Sequence, residues 1–304
     1  MIEKLLKVKA RSIGLHILNV INGSYSDPII LSVFDKTINI RFGDELVVVT
    51  STSLRAPINL NINVNESFNS LVDVYDEVHI GSGHIAIGSL YIDVSRDTPV
   101  YVESLGATLG NPPVDIKSVY AYSIRLAILA RLLGDVKEDS AYTNEIIRNM
   151  MSSIISKLIE HIRINKRLEQ SILSRIIGVG HGYTPSGDDI ALGLIAAWNL
   201  MEPLGLQPII PGEELLEKTH WVSGRLLLYA SKGLLAEPLD LGMYRLVAYG
   251  DVEGALDAVL DMARYGHSSG TEIMGGLALG LALALEHLGY RGVASRVAGI
   301  LFDF

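Results

Sequence analysis

Two segments of this chain place a serine, a glycine and a carboxylate at the head of an apolar run: Ser186-Gly187-Asp188-Asp189-Ile190-Ala191-Leu192-Gly193-Leu194 and Ser269-Gly270-Thr271-Glu272-Ile273-Met274-Gly275-Gly276-Leu277. Each follows a Gly-His pair, Gly180-His181 in the first and Gly266-His267 in the second. Unpaired backbone N–H groups at the positive end of a helix dipole, with hydroxyls beside them, make a seat for phosphate or carboxylate. The serines stand 83 residues apart. That is too far for a solenoid repeat and suits two related helix-start loops within one domain.

A plainer account covers part of the pattern. Ser186 with Asp189, and Ser269 with Glu272, match the capping box, in which serine caps the third helical N–H and the acid reaches back to the serine N–H. Capping leaves Gly187 and Gly270 unexplained, because glycine inside a helix costs up to about 1 kcal/mol relative to alanine. Gly178, Gly180 and Gly182 at alternate positions predict unusual dihedrals or close approach of a ligand to the backbone. The spacing is neither a Walker loop, since no Gly-Lys-Ser/Thr follows, nor a dinucleotide fingerprint after a clear strand.

Other side chains widen the site. Asp188 and Asp189 offer adjacent carboxylates that suit Mg²⁺ together with substrate oxygens, or that serve only as partners of the helix dipole. His181 and His267, in matching places, are candidates for proton transfer or anion binding, against the simpler role of hydrogen-bonded loop histidines. Ser223, near Arg225, Tyr229, Ser231 and Lys232, either completes an anion pocket or lies on the polar edge of an amphipathic helix. The expected substrate-binding set is Gly180, His181, Gly182, Thr184, Ser186, Gly187, Asp188, Asp189, Ser223, His267, Ser268, Ser269, Gly270, Thr271 and Glu272. No Gly-x-Ser-x-Gly elbow occurs, and neither a nucleophile nor a general base is assigned. Gly193 and Ala197 in the first apolar run, with Gly276 and Gly280 in the second, predict a close crossing of two buried helices whose N-terminal loops converge on one pocket.

The elements that must position these residues follow from periodicity. From about Ala10 to Val102, short β-branched runs alternate with turn formers: Pro28–Phe34, Ile38–Phe42, Glu45–Thr50, Glu77–Ile80, His84–Ile87 and Tyr91–Val94, with turns at Asn22-Gly23, Gly43-Asp44 and Gly81-Ser82-Gly83. Leu105–Pro113, with two glycines and a Pro-Pro pair, reads as a linker. Beyond it, helical spacing runs through Val119–Leu133, Ile146–Ile164, Leu168–Ile177, Leu215–Tyr229, Ala255–Met262 and Val293–Leu301, to which the two motif helices are added. The expected fold is α+β, with a β-rich domain over residues 1–113 and a helical domain over 114–304 that carries both motifs.

Composition narrows the function. The absence of cysteine excludes disulfides, thiolate catalysis and cysteine-ligated metal sites. A net charge of −9, with no run of Lys or Arg interleaved with aromatics, argues against a nucleic-acid partner. Hydrophobic residues make up 49% of the chain, but the longest apolar stretches, Ile190–Met201 and Ile273–Leu285, fall short of the ~20 residues that span a bilayer. They read as buried helices and no membrane is expected. Without a secretory signal at the N-terminus, a cytoplasmic location is expected.

The run Gly180-His181-Gly182-Tyr183-Thr184-Pro185-Ser186-Gly187-Asp188-Asp189, followed by Gly266-His267-Ser268-Ser269-Gly270-Thr271-Glu272, resembles the AllH-type family. The resemblance extends to Ser223–Gly233 and, more faintly, to Ser32-Val33-Phe34 and Asn39. Tyr183 stands where the family pattern has leucine, and Glu272 where it has aspartate. The resemblance implies a role linked to oxamate carbamoyltransferase, which moves a carbamoyl group between oxalurate and phosphate in allantoin breakdown, a branch of purine catabolism. It also implies protein partner subunits. Two readings stay open: part of a carbamoyl-transfer site that holds a small anion, phosphate or carboxylate, or a non-catalytic ligand-binding or assembly subunit.

Overall fold

The described residues of the computed structural model are 5–22, 28–81, 83–103 and 114–303. The chain divides into two compact units, Met1–Glu103 and Ser104–Phe304. The expected linker Leu105–Pro113 lies outside the described residues, as do Gly23 of one expected turn and Ser82 of another. The fold is α+β, strand-rich first and helical after.

Nine strands are described in the first unit: β1 (Leu6–Gly14), β2 (Ile29–Val33), β3 (Thr37–Phe42), β4 (Glu45–Thr50), β5 (Asn59–Ile62), β6 (Val78–Gly81), β7 (His84–Ile87), β8 (Leu90–Asp93) and β9 (Val100–Tyr101). They form one sheet in the order β2-β3-β4-β5-β1-β8-β7-β6, with β9 on β1. The β3–β4 hairpin runs in register from Thr37↔Thr50 to Phe42↔Glu45, and Gly43 at its tip takes φ +58°, a value that favours glycine. β1 joins the two halves of the sheet. Its residues Leu6–Lys9 lie parallel to β8, and from Ala10 to Ile13, across a shift in register between Ala10 and Ser12, it lies antiparallel to β5.

Two elements of this unit go beyond the expected strands. β5 is polar in composition, since Asn59 and Asn61 are poor strand formers, yet both amides are buried and bonded. Asn59 Nδ2 donates to Leu54 O at 3.0 Å, Asn61 Nδ2 to the same carbonyl at 2.7 Å, and Ser12 Oγ donates to Asn61 Oδ1 at 3.1 Å. A helix, α1 (Leu15–Asn22), directly follows β1 and buries Ile17 and Val20.

The second unit contains α2 (Ile116–Gly134), α3 (Glu145–Asn165), α4 (Gln170–Leu173), α5 (Ser186–Leu200), α6 (Glu213–Leu216), α7 (Trp221–Ser231), α8 (Glu237–Tyr249), α9 (Val252–Val259), α10 (Ser269–His287) and α11 (Val293–Phe302). α10 is buried continuously from Gly270 to Glu286, with α5, α2, α11 and α3 packed around it. Its apolar composition on every face follows from that position. No described helix is long and apolar enough to cross a membrane.

The crossing of α5 and α10 is set by the small residues. A Cβ at Gly193 would stand 2.1 Å from Ile273 O, one at Gly276 2.1 Å from Ile190 O, and one at Gly280 2.8 Å from Ala197 Cβ. Backbone therefore rests on backbone along the seam.

Three helical expectations are corrected. Leu168–Ile177 yields only the single turn of α4 before the chain turns away. Leu215–Tyr229 breaks into α6 and α7, because Thr219 is drawn to Asp188 and His220 adopts an extended conformation ahead of α7. α8 lies outside the expected spans. Its Pro238 is tolerated in the first turn, and Gly242 allows close approach to Val259 of α9, where a Cβ would meet Cγ1 at 2.6 Å.

Candidate functional site

The motif loops do not form capping boxes. Pro185 and Ser268 precede the helices and neither caps through its side chain. Ser186 and Ser269 occupy the first helical position, and their hydroxyls turn instead to the opposite motif. The glycines after them answer to packing. A Cβ at Gly187 would lie 2.0 Å from Ile176 O, and one at Gly270 1.6 Å from Met262 O. Gly187 N–H donates to Val179 O at 2.7 Å and Gly270 N–H to Tyr265 O at 3.1 Å, so each loop is stitched to its own helix start in the same way. What approaches these two glycines is the chain's own backbone.

Between the helix starts lie two carboxyls. Asp189 is 3% exposed and Glu272 fully buried. The Ser269 and Thr184 hydroxyls act to lower the Asp189 carboxyl and the Ser186 hydroxyl to lower Glu272, and Thr184 Oγ1 sits 3.2 Å from Ser269 Oγ. Ser268 Oγ donates to Glu272 Oε2 at 3.1 Å, and Ala141 N–H to Oε1 at 2.6 Å. Ala141 is held there because the Tyr142 ring fills notches at Gly134 and Gly275 while its hydroxyl donates to Thr271 O at 3.1 Å. Burial, reinforced by the Glu272 charge, holds the Asp189 carboxyl well above the usual carboxylate range. Burial also raises Glu272, against the hydrogen bonds it accepts and the charge of Lys137.

Asp188 has a different task. Its Oδ1 accepts from Gly178 N–H at 2.7 Å, and its Oδ2 accepts from Ser223 Oγ at 2.6 Å and from Thr219 Oγ1. The carboxylate thus ties the first turn of α5 to the glycine loop and to α7. A Mg²⁺ ion at Asp188 and Asp189 would have to compete with the bonds these carboxylates already make. Three donors converge on Asp188, Asp189 Oδ2 is shut off from solvent, and no group of three or more metal-ligating side chains occurs among the described residues.

An open cleft of about 470 Å³ lies alongside, lined by Gly178, Gly180, His181, Gly182, Pro185 and, from the α6–α7 break, Glu217, Lys218, Thr219 and His220. Gly178, Gly180 and Gly182 take φ of +83°, +117° and +89°, the left-handed region open to glycine. The N–H groups of Gly180, His181 and Gly182 make no hydrogen bond among the described residues. Tyr183 stacks on His220 with ring centroids 5.1 Å apart.

The expected site residues therefore separate into groups. Gly180, His181 and Gly182 line the cleft. Thr184, Ser186, Asp189, Ser268, Ser269 and Glu272 meet between the helix starts. Gly187 and Gly270 pack on backbone, Asp188 and Ser223 bond each other, and Thr271 is buried with its hydroxyl on Ser268 O. The two histidines are not equivalent: His181 faces the cleft, whereas His267 Nε2 lies 2.9 Å from Glu138 O. Lys218, His220, Ala141 and Lys137 were not in the expected set. Their sequence neighbourhoods carry no motif, and only the helix breaks bring them in.

A family model described as oxamate carbamoyltransferase subunit AllH matches residues 176–281, and one described as the AllH family N-terminal domain matches residues 9–99. No curated protein and no solved structure matches the chain. The first match contains both motifs and the cleft. The second contains the buried pair in which Asn39 Nδ2 donates to Ser32 Oγ at 2.9 Å.

Proposed function

The chain belongs to the AllH family of oxamate carbamoyltransferase subunits, and on that premise we propose that it works with partner subunits in carbamoyl transfer and holds a small anion in the cleft beside Gly180–Gly182. The anion is phosphate or the carboxylate of oxalurate or oxamate. The observation that carries this reading is the loop Gly180-His181-Gly182, whose N–H groups make no hydrogen bond among the described residues and which lines a cleft together with Lys218 and His220.

The chemistry follows from the donors. Backbone N–H groups fixed by left-handed glycines lose little entropy on binding an oxyanion and are suited to stabilising the negative charge that develops when a carbamoyl carbonyl is attacked. Lys218 adds a charge that Glu217, on the same rim, partly offsets, so the N–H groups supply the selectivity. The helix starts themselves are poor anion seats, because Asp189 and Glu272 already occupy them. The single site is thus displaced from the two helix N-termini to the first loop.

The test is calorimetric titration of inorganic phosphate into the chain, followed by assay of carbamoyl phosphate formation from oxalurate with the partner subunits present. Lys218→Ala and His181→Ala are expected to weaken phosphate binding about tenfold, the equivalent of about 1.4 kcal/mol, and to slow the complex. Full activity in both variants overturns the reading and leaves a subunit that assembles the complex without touching substrate.

A further inference from the structure

A second cavity, away from both motifs, lies where the end of α3 meets the turn between α10 and α11. It encloses about 280 Å³ and is lined by Arg163 of α3, Lys166 just beyond the end of that helix, Glu286 of α10 and Arg291 of the turn. Three cations thus surround one carboxylate, in a chain whose net charge is −9.

The carboxylate is already engaged. Glu286 Oε1 accepts from Arg163 Nε at 2.7 Å, and Oε2 accepts from Gly292 N–H at 2.9 Å and Ala294 N–H at 3.3 Å. The cations are less fully used. Arg163 is held in place by Glu286 and by Ser295, whose Oγ accepts from Nη2 at 3.0 Å, and its Nη1 has no partner among the described residues. Lys166 takes φ +56°, a helix-end position where glycine is usual, and its Nζ reaches the His287 carbonyl at 3.5 Å. The Arg291 side chain makes no hydrogen bond or ion pair among the described residues.

We propose that this cavity is a second anion site, which takes a doubly charged oxyanion of the phosphate class, free or as a small monoester, and joins the end of α3 to the turn before α11. Cations that approach from three segments suit the several oxygens of a tetrahedral anion, and a fixed guanidinium with a free N–H is a preorganised donor for it. The cavity falls below the ~300–1,000 Å³ typical of pockets for larger ligands, and no aromatic side chain lines it among the described residues. A nucleobase therefore finds neither room nor a stacking surface. Glu286 stands at one end of α10 and Ser269 at the other, so at 1.5 Å per residue the cavity is about 25 Å from the motif serines. An anion here acts on the fold and not on the chemistry of the cleft, and the site does not depend on the anion reading of that cleft.

The test is titration of inorganic phosphate into the full chain labelled with ¹⁵N-arginine, read at the side-chain N–H signals and repeated with glycerol phosphate and with acetate at matched ionic strength. The Arg163 and Arg291 signals, assigned through Arg163→Lys and Arg291→Gln, are expected to shift together along one saturable curve with phosphate or the monoester and to stay in place with acetate. The tighter of the two phosphates names the occupant. Arg291→Gln, followed at the Arg163 signal, is expected to bind about tenfold more weakly with its urea midpoint unchanged. Lys218→Ala, on the rim of the cleft, is expected to leave the curve as it is. Signals that ignore both phosphates, that follow acetate equally, or that keep wild-type affinity in Arg291→Gln overturn the site. Loss of the shifts in Lys218→Ala overturns it as well, because the effect then comes from the cleft. Failure of phosphate to bind at Gly180–Gly182 bears only on the cleft, and the arginine signals still judge this cavity.

Discussion

Thr184 Oγ1 lies 3.2 Å from Ser269 Oγ, so a hydroxyl from the loop before α5 meets the first hydroxyl of α10. Through that contact the two motifs act as one structure. Each serine hydroxyl bears on the acid of the other copy, and each glycine admits the backbone that precedes its own helix. The relation between the copies is therefore physical as well as textual.

The two kinds of glycine in the first loop should respond differently to alanine. At Gly187 the added Cβ meets Ile176 O at 2.0 Å, and the backbone at both ends is fixed, so Gly187→Ala is expected to cost about 3 kcal/mol or to abolish folding. At Gly182 nothing lies within 4 Å, and only the φ of +89° opposes a side chain. Gly182→Ala is expected to cost about 1–2 kcal/mol. Urea midpoints of the two variants check the order, and equal costs would contradict the packing account.

Much of this could be read from the residues alone, and what could not has physical causes. Alternating β-branched runs identify β2, β3, β4, β7 and β8, because one face of each meets the core. β5 escapes because it is only four residues long and its core-facing Leu60 and Ile62 alternate with asparagines, poor strand formers whose amides are satisfied by carbonyls of the preceding loop, a partnership no periodicity records. Gly193, Ala197, Gly276 and Gly280 announce the helix crossing, since only small residues permit it. The cleft is different. It exists because the apparent helix Leu215–Tyr229 breaks at Glu217–His220, and the break depends on Asp188, some thirty residues upstream, drawing Thr219 and Ser223 toward it.

Asp188 is accordingly expected to matter for architecture. Asp188→Ala leaves Gly178 N–H, Thr219 and the buried Ser223 without their acceptor, at a cost of about 2 kcal/mol. Asp188→Asn keeps the shape and one acceptor oxygen but turns a donor toward the others, and it is expected to cost about half as much. Denaturation checks the ranking. Amide exchange at Gly178 supplies a local readout, with protection falling in both variants. Unchanged exchange would separate the carboxylate from the glycine loop.

At the far end of α10 the buried Glu286 shows which member of an ion pair a fold depends on. Its carboxylate accepts from Gly292 N–H at 2.9 Å and Ala294 N–H at 3.3 Å, capping the start of α11 from the preceding helix, and also from Arg163 Nε at 2.7 Å. The arginine side chain is 42% exposed, whereas that of Glu286 is 0% exposed. Arg163→Ala lets water approach while the two N–H donors stay satisfied, so it is expected to cost about 1 kcal/mol or less. Glu286→Ala strands both N–H groups at the positive end of α11 and removes the partner of Arg163. It is expected to cost about 3 kcal/mol. Thermal melts of the two single variants and the double variant test this asymmetry. The double variant should lie close to Glu286→Ala, because once the acid is gone the arginine has little left to hold.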